Sequence, residues 1–226
     1  MPELESIITS DGSTSLYNSE LDETYHSRHG ALQEAEHVFI ETGLSHFVGL
    51  FEPSSLSIFE MGLGTGLNCL LTALWAKKNK VSVNYIGIEK VVLNNQQIAS
   101  CNYSDLLKNE DSKTYFDSIH SSTWDMQTQI HAYFTLLKLE AEIETISISS
   151  EIDVVFYDAF GPRVQPHLWE KPILNILFNM LKPNGVLVTY CAKGSVRRNL
   201  QELGFEVERL PGPPGKREML RGTKLV

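Results

Sequence analysis

Two short segments of the chain carry residue types that can do chemistry together. The first is Phe59-Glu60-Met61-Gly62-Leu63-Gly64-Thr65-Gly66-Leu67-Asn68. Glycines at this spacing let the backbone turn tightly and let a ligand approach with no Cβ in the way. Between a strand and a helix such a turn commonly holds a pyrophosphate against the helix N-terminus. Here the spacing is GxGxG rather than GxGxxG, and Glu60 stands just before the turn. A carboxylate at that point repels a pyrophosphate. It suits a ligand with a cationic end, such as the amino-acid end of S-adenosylmethionine. Glu89 closes the next apolar run, Ile86-Gly87-Ile88. Its two carboxylate oxygens can accept from both hydroxyls of a ribose. Together these features point to S-adenosylmethionine as cofactor and to methyl transfer as the chemistry. An NAD-dependent oxidoreductase is the competing reading from another class, and the place of Glu60 speaks against it.

The second segment is Asp158-Ala159-Phe160-Gly161-Pro162, followed by Pro166 and Trp169. It is similar in position and content, though not letter for letter, to the Asp/Asn-Pro-Pro-aromatic loop of amino-methyltransferases. A carboxylate beside an aromatic ring is a receptor for an amine. It accepts the amine N–H, turns the lone pair toward the methyl group, and takes the proton released on transfer. The plainer reading of Asp158 is a cap on the following helix. Glu142 follows a third strand candidate, where an acid commonly meets the adenine amino group. It lies in the acidic run Glu140, Glu142, Glu144, so a solvated helix face accounts for it equally well.

The elements that must position these groups are legible as an alternation of strand and helix. Strands are predicted at 57–61, 83–89, 133–137, 153–157 and 186–190, with helices over 67–77, through 181, and over 197–203. The stretch 93–129 reads as helix with a loop. The turn Lys182-Pro183-Asn184-Gly185 precedes the fifth strand. That order predicts a mostly parallel sheet of the Rossmann-like class I type, with ligands outside the carboxyl ends of its strands. Segments 205–210 and 219–223 are joined by a short Pro/Gly loop and predict an antiparallel final pair. The first fifty residues show no strong strand, only an amphipathic helix candidate carrying Leu32, Ala35, Val38, Phe39 and Phe47. Residues 1–50 thus read as an extension and 51–226 as the Rossmann-like domain.

The chain of 226 residues is long enough for one such domain with a real core. No apolar run approaches the roughly 20 residues that span a bilayer, and the N-terminus lacks the pattern of a secretion signal. Cys69, Cys101 and Cys191 are scattered and odd in number, which fits a reducing cytoplasm. His26, His29, His37 and His46 cluster without the accompanying ligands of a metal site, and no metal is expected. The net charge of −9 is uneven. Residues 181–226 carry nine Lys and Arg against four Glu, a net +5, which leaves −14 on the rest. Phosphate binding requires a positive surface locally, not in total.

One further pattern runs through the chain. Ser19-Glu20-Leu21-Asp22-Glu23-Thr24-Tyr25-His26-Ser27, then Gly30-Ala31, Glu34 and His37-Val38-Phe39, come before the GxGTGLN turn, Glu89-Lys90, the Asp158 loop and Gly215-Lys216-Arg217-Glu218-Met219. In that order, from about Ser15 onward, the chain resembles the bacterial tRNA wobble-uridine methyltransferases that form 5-methylaminomethyl-2-thiouridine. These are the methyltransferase half of bifunctional MnmC and its stand-alone MnmD-type relatives. The resemblance implies N-methylation of the 5-aminomethyl group of a modified, usually 2-thiolated, uridine at the wobble position. It gives no expectation of FAD, whose oxidase half needs several hundred further residues. It implies that Glu60, Gly62, Gly64, Gly66, Asn68, Glu89, Lys90 and Glu142 serve the cofactor. Asp158 would hold the amine, and Tyr25, in a segment closing over the site, would bond the amine or shape its pocket. Glu34 and His37 match the family, yet their helical spacing suits structural hydrogen bonds as well. Phe160, Pro162 and Trp169 would surround the base, with Phe160 or Trp169 stacking on it. Lys193, Arg197, Arg198, Lys216 and Arg217 would hold anticodon-loop phosphates. A methyltransferase acting on another amine, in a small molecule or a protein, shares the cofactor site but needs no basic face. The sequence does not set the oligomeric state.

Overall fold

The computed structural model describes residues 4–148 and 151–225. Its centre is an eight-stranded sheet, and its elements follow in chain order. The N-terminal strands are β1 (Leu4–Ile8), β2 (Thr14–Asn18) and β3 (Glu23–Thr24). A continuous helical stretch follows: α1 (Ala31–Ala35), a π-helical segment Glu36–Ser45, and α2 (His46–Phe51). Then come β4 (Ser55–Met61), α3 (Leu67–Asn79) and β5 (Ser82–Glu89). Three short helices, α4 (Asn95–Ala99), α5 (Tyr103–Leu106) and α6 (Ser112–Ser121), lead to β6 (Thr128–His131) and β7 (Phe134–Glu140). The remainder is β8 (Ile152–Tyr157), α7 (Lys171–Met180), β9 (Leu181–Thr189), α8 (Gly194–Leu203), β10 (Phe205–Pro211) and β11 (Glu218–Lys224).

The strand order in the large sheet is β10-β11-β9-β8-β4-β5-β7-β6. β9, β8, β4, β5 and β7 run parallel, and the expected β10–β11 pair closes one edge antiparallel. The other edge closes with β6 antiparallel to β7, a pairing the polar sequence of 93–129 did not suggest. The chain leaves β4 toward β5 on one side and later returns to β8 on the other. A crevice therefore opens outside the carboxyl end of β4, where the glycine turn sits.

Burial explains the layers. Every residue of β8 is buried, as a strand covered on both faces requires. One face carries the helical stretch 31–51 with α3 and α6, packed through Phe39, Leu44, Leu70 and Phe116. The other carries α7 and α8, packed through Leu174, Leu177 and Leu200. Two expectations are corrected. The N-terminal segment is a three-stranded antiparallel sheet, β1-β2-β3, rather than strandless. Its tight turn is held by polar side chains, with Asp11 Oδ1 accepting from Thr9 Oγ1 at 2.8 Å and from the Ser13 amide at 3.0 Å. The Lys182-Pro183-Asn184-Gly185 turn does not precede the fifth strand but bulges within β9. The register steps from Ile152 opposite Leu181 to Val154 opposite Val186, with Asn184 at φ 64°.

Candidate active site

A cavity of about 570 Å³ lies outside the carboxyl ends of β4, β5 and β8. It brings together Tyr25, Gly62, Gly64, Asn68, Glu89 and Lys90, and with them Glu142, Asp158, Phe160 and Lys216. Its two walls are built differently.

The first wall is local. Gly62 has φ +89°, and a Cβ there would lie 2.8 Å from the Asp158 carbonyl oxygen. Gly64 has φ +49°, and a Cβ there would press to 3.2 Å from the Tyr25 ring. Both positions thus need glycine for conformation and for space. The turn donates the Gly64 amide to Glu89 Oε2 at 2.9 Å, and the Val91 amide meets Oε1 at 3.0 Å. These backbone donors fix the Glu89 carboxylate, which lines the cavity and can accept further hydrogen bonds there. Burial outweighs these donors and pushes its carboxyl above the ordinary range. On the rim, Lys90 Nζ pairs with Glu142 Oε1 at 2.7 Å, both side chains well exposed. That hydrogen bond with Lys90 lowers the Glu142 pKa.

The second wall is assembled from distant segments. Asp158, at the end of β8, is partly buried, and Asn68 Nδ2 donates to its Oδ2 at 2.9 Å. The same Nδ2 donates to Glu60 Oε1 at 2.9 Å, and the Tyr85 hydroxyl donates to Glu60 Oε2 at 2.8 Å. A chain Tyr85–Glu60–Asn68–Asp158 therefore runs from the core to the cavity. Burial, with repulsion from Glu34 and Glu60, pushes the Asp158 carboxyl well above the ordinary carboxylate range. Burial likewise raises Glu60 to about 8. Tyr25 packs edge-on to Phe160 with ring centroids 5.1 Å apart, and burial raises its hydroxyl pKa. Lys216 pairs with Glu34 and lies 3.7 Å from the centroid of the Tyr190 ring. Glu34, only 5% exposed, also accepts the Ser27 amide at 2.9 Å.

Several expected site residues lie elsewhere. Glu60 is fully enclosed and meets the cavity only through Asn68, so it does not face a ligand's cationic end. Gly66 opens α3 behind the wall, and Pro162 lies outside the lining. Trp169 is 3% exposed, packs on Tyr157, and donates its Nε1–H to the Phe160 carbonyl at 2.8 Å. It props the Asp158 loop and has no free face for a base, whereas Phe160 lines the cavity. Lys216 points into the wall toward Glu34 rather than outward to a phosphate. Lys193, Arg197, Arg198 and Arg217 stand outside the cavity and form no ion pair among the described residues. His37 bonds the Pro211 carbonyl at 2.8 Å, away from the cavity.

The sequence reading missed Tyr190, whose hydroxyl donates to the Ala159 carbonyl at 2.8 Å. Its signal was an aromatic with a polar tip closing a buried strand. It also left open the joining of Glu34 to Lys216, 182 residues apart in sequence. Among the described residues no group of three His, Cys, Asp or Glu side chains is arranged to hold a metal, and no helix could cross a membrane.

A doubly flanked parallel sheet, a GxGxG turn at its switch point, and an acid at the end of the neighbouring strand define a Rossmann-like class I methyltransferase site. A family model described as S-adenosyl-L-methionine-dependent methyltransferase matches residues 107–225, and the chain belongs to that family. Its cofactor is S-adenosylmethionine. Among curated proteins, the chain is 31% identical over 216 residues to the tRNA 5-methylaminomethyl-2-thiouridine biosynthesis bifunctional protein MnmC of Leptospira interrogans, covering 91% of this chain and 33% of that one. The protein of the same name from Hydrogenovibrio crunogenus is 29% identical over 215 residues, covering 89% and 31%. The chain thus spans about a third of the length of these relatives. The crystal structure of MNMC2 from Aquifex aeolicus superposes with a TM-score of 0.80 at 25% identity, covering all of this chain and 71% of that one.

Proposed function

We propose that this chain methylates the 5-aminomethyl group of a (2-thio)uridine at the tRNA wobble position, giving 5-methylaminomethyl-(2-thio)uridine. The observation that carries the reading is the placement of Asp158. Its Oδ2 is held by Asn68, while its Oδ1 has no hydrogen bond among the described residues, in the same cavity as the glycine turn and Glu89. The kind of amine comes from the likeness to proteins named for 5-methylaminomethyl-2-thiouridine biosynthesis.

The residues fit the cofactor. Glu89 keeps lone pairs for two ribose hydroxyls, and the glycine turn leaves room where side chains would stand. Lys90 and Glu142 lie on the same rim, and Glu142 would reach the adenine amino group. When bound, the cofactor supplies an electrophilic methyl on a sulfonium. Asp158 Oδ1 accepts an amine N–H and fixes the nitrogen in line. The amine lone pair would take up the methyl that the bound group supplies, with the S–C electron pair left on sulfur. The methylated ammonium then sheds a proton, and the raised proton affinity of Asp158 suits it to take that proton. Tyr25 and Phe160 wall the amine from water, and Phe160 offers a stacking face to a base drawn out of the anticodon loop. Lys193, Arg197, Arg198 and Arg217 would meet the RNA phosphates. Residues 1–50 act as the covering unit on the 51–226 domain, and the cytoplasm, where tRNA is found, is the expected compartment.

The test is methyl transfer from labelled S-adenosylmethionine to two tRNA pools, one carrying 5-aminomethyluridine at the wobble position and one carrying uridine. Label in the first alone is expected. Label in neither, with cofactor binding intact, would overturn the substrate assignment and leave the methyltransferase site standing.

A further inference from the structure

Three Lys and Arg side chains line the cavity: Arg28, Lys90 and Lys216. Two of them are engaged. Lys90 pairs with Glu142 at 2.7 Å, and Lys216 pairs with Glu34. Arg28 is exposed, and its guanidinium makes no ion pair and donates no hydrogen bond among the described residues. An aromatic face holds it instead, with the guanidinium carbon 5.3 Å from the centroid of the Tyr17 ring. Such a face restrains a guanidinium without consuming its five N–H donors.

The loop beneath Arg28 is anchored on both sides. The Ser27 amide donates to Glu34 Oε1 at 2.9 Å. The Arg28 carbonyl accepts the Ser10 amide at 3.0 Å and the Ser10 hydroxyl at 3.2 Å. The next residue, His29, packs on Gly215, where a Cβ would lie 2.0 Å from the His29 ring. Two residues beyond Gly215 stands Arg217, also exposed and without an ion pair among the described residues. Two uncompensated guanidiniums are therefore carried on two touching loops, one from near each end of the chain. A guanidinium fork matches two oxygens of one phosphate, and a fork already restrained loses less freedom on binding.

We propose that Arg28 is a phosphate receptor at the cavity mouth, taking a backbone phosphate that adjoins the nucleotide whose base enters the cavity. This rests on the proposed transfer to tRNA. Lys193, Arg197, Arg198 and Arg217 stand outside the cavity and meet phosphates farther along the strand, whereas Arg28 shares the cavity with Asp158. A phosphate contact at that point carries no base preference; it sets which nucleotide is presented to Asp158. The cofactor's carboxylate is the other anion that could reach this guanidinium, and the experiment separates the two.

The measurement is the Kd of an anticodon stem–loop carrying 5-aminomethyluridine, taken over a range of salt, for wild type and Arg28→Gln. Methyl transfer to the same RNA and the cofactor Kd are measured beside it. Arg28→Gln is expected to raise the RNA Kd about tenfold and to make the slope of log affinity against log salt shallower by about 0.7. The cofactor Kd should stay within about threefold. Neutral methylphosphonates placed at each phosphate around the wobble residue in turn then complete a double-mutant cycle. One adjoining phosphate is expected to cost wild type about tenfold and Arg28→Gln almost nothing more. Costs that add at every position, or an RNA Kd and salt slope unchanged in Arg28→Gln, would overturn the inference and leave the function intact. A cofactor Kd raised tenfold with the RNA slope unchanged would assign the guanidinium to the cofactor's carboxylate and overturn it equally. Wild type that fails to methylate the stem–loop would remove the function and the inference together. Arg28→Lys, which keeps the charge and loses the fork, should retain the wild-type salt slope, and it carries the same cycle should Arg28→Gln not fold.

Discussion

The two walls of the cavity present carboxylates of opposite construction. Glu89 is fixed by the Gly64 and Val91 amides, both backbone donors within one strand–turn unit or next to it. Asp158 is fixed by one side-chain amide that is itself fixed by Glu60 and Tyr85, and its surroundings include Glu34 and Lys216 from the two ends of the chain. A backbone-built receptor suits a cofactor of constant shape. A side-chain-built receptor can be tuned in acidity and in hydrogen-bond count, which is what the substrate side of a methyltransferase has to set.

The sharpest way to break this comparison is to remove each carboxylate in turn. Asp158→Ala is expected to lower kcat/KM for methyl transfer by about a thousandfold, combining lost orientation with lost proton acceptance. Its cofactor Kd should stay within about threefold, since no cofactor ligand is removed. Glu89→Ala should do the reverse. The two charge-assisted hydrogen bonds proposed between Glu89 and a ribose would be lost, raising the cofactor Kd by about a hundredfold. The rate at saturating cofactor should fall by much less. Calorimetric titration and steady-state kinetics on both variants check the split. Equal effects on Kd in the two variants would mean that the walls are not functionally separate.

The same contrast governs what could be read from the sequence. The Glu89 wall lies within about thirty residues, and its signals are local: glycines in a tight turn, an acid at a strand end, and nearly all-apolar runs such as 153–157 that suit a strand buried on both faces. The parallel order followed from the alternation of strand and helix, and the final antiparallel pair from the short Pro/Gly loop that joins its strands. The Asp158 wall needed contacts that no local pattern records. Lys216 sits in a basic segment and so read as a phosphate ligand, yet it folds back onto Glu34. Glu60 looked like a ligand because it precedes the turn, yet the pleat of β4 aims it into the core at Tyr85. Trp169 looked like a stacking platform, yet its indole N–H is taken by the backbone of the loop it supports. The N-terminal sheet left no apolar period because its strands are short and its turn is held by Thr9, Asp11 and Ser13.

Lys216 offers a smaller test of the same point. Removing one member of a buried pair leaves the other charge uncompensated. With Glu34 nearly enclosed and Lys216 about a third exposed, Lys216→Met should cost about 2 kcal/mol of stability, and Glu34→Gln combined with it should restore most of that. Chemical denaturation of the three variants measures it. Were Lys216 a phosphate ligand instead, Lys216→Met would leave stability unchanged and reduce the salt dependence of tRNA binding by about one counterion.

The smallest effect concerns Glu60, which never reaches the ligand. Its carboxyl is raised from near 4.5 to about 8, burial being the main cause. A raised folded-state pKa means that the native state binds more protons than the unfolded chain between those two values. Stability from this group is therefore fully present below about pH 4.5 and is lost as pH rises toward 8. Asp158, raised in the same direction, acts with the same sign. The melting temperature should decline by a few degrees from pH 5.5 to 8 in wild type. It should decline less in Glu60→Gln, which cannot ionise, and still less in Glu60→Gln with Asp158→Asn. The Glu89→Ala variant should keep much of the wild-type slope, because the chain Tyr85–Glu60–Asn68–Asp158 is intact in it. A slope that survives the double variant but vanishes in Glu89→Ala would place the titrating burden on the cofactor wall and reverse the contrast drawn between the two.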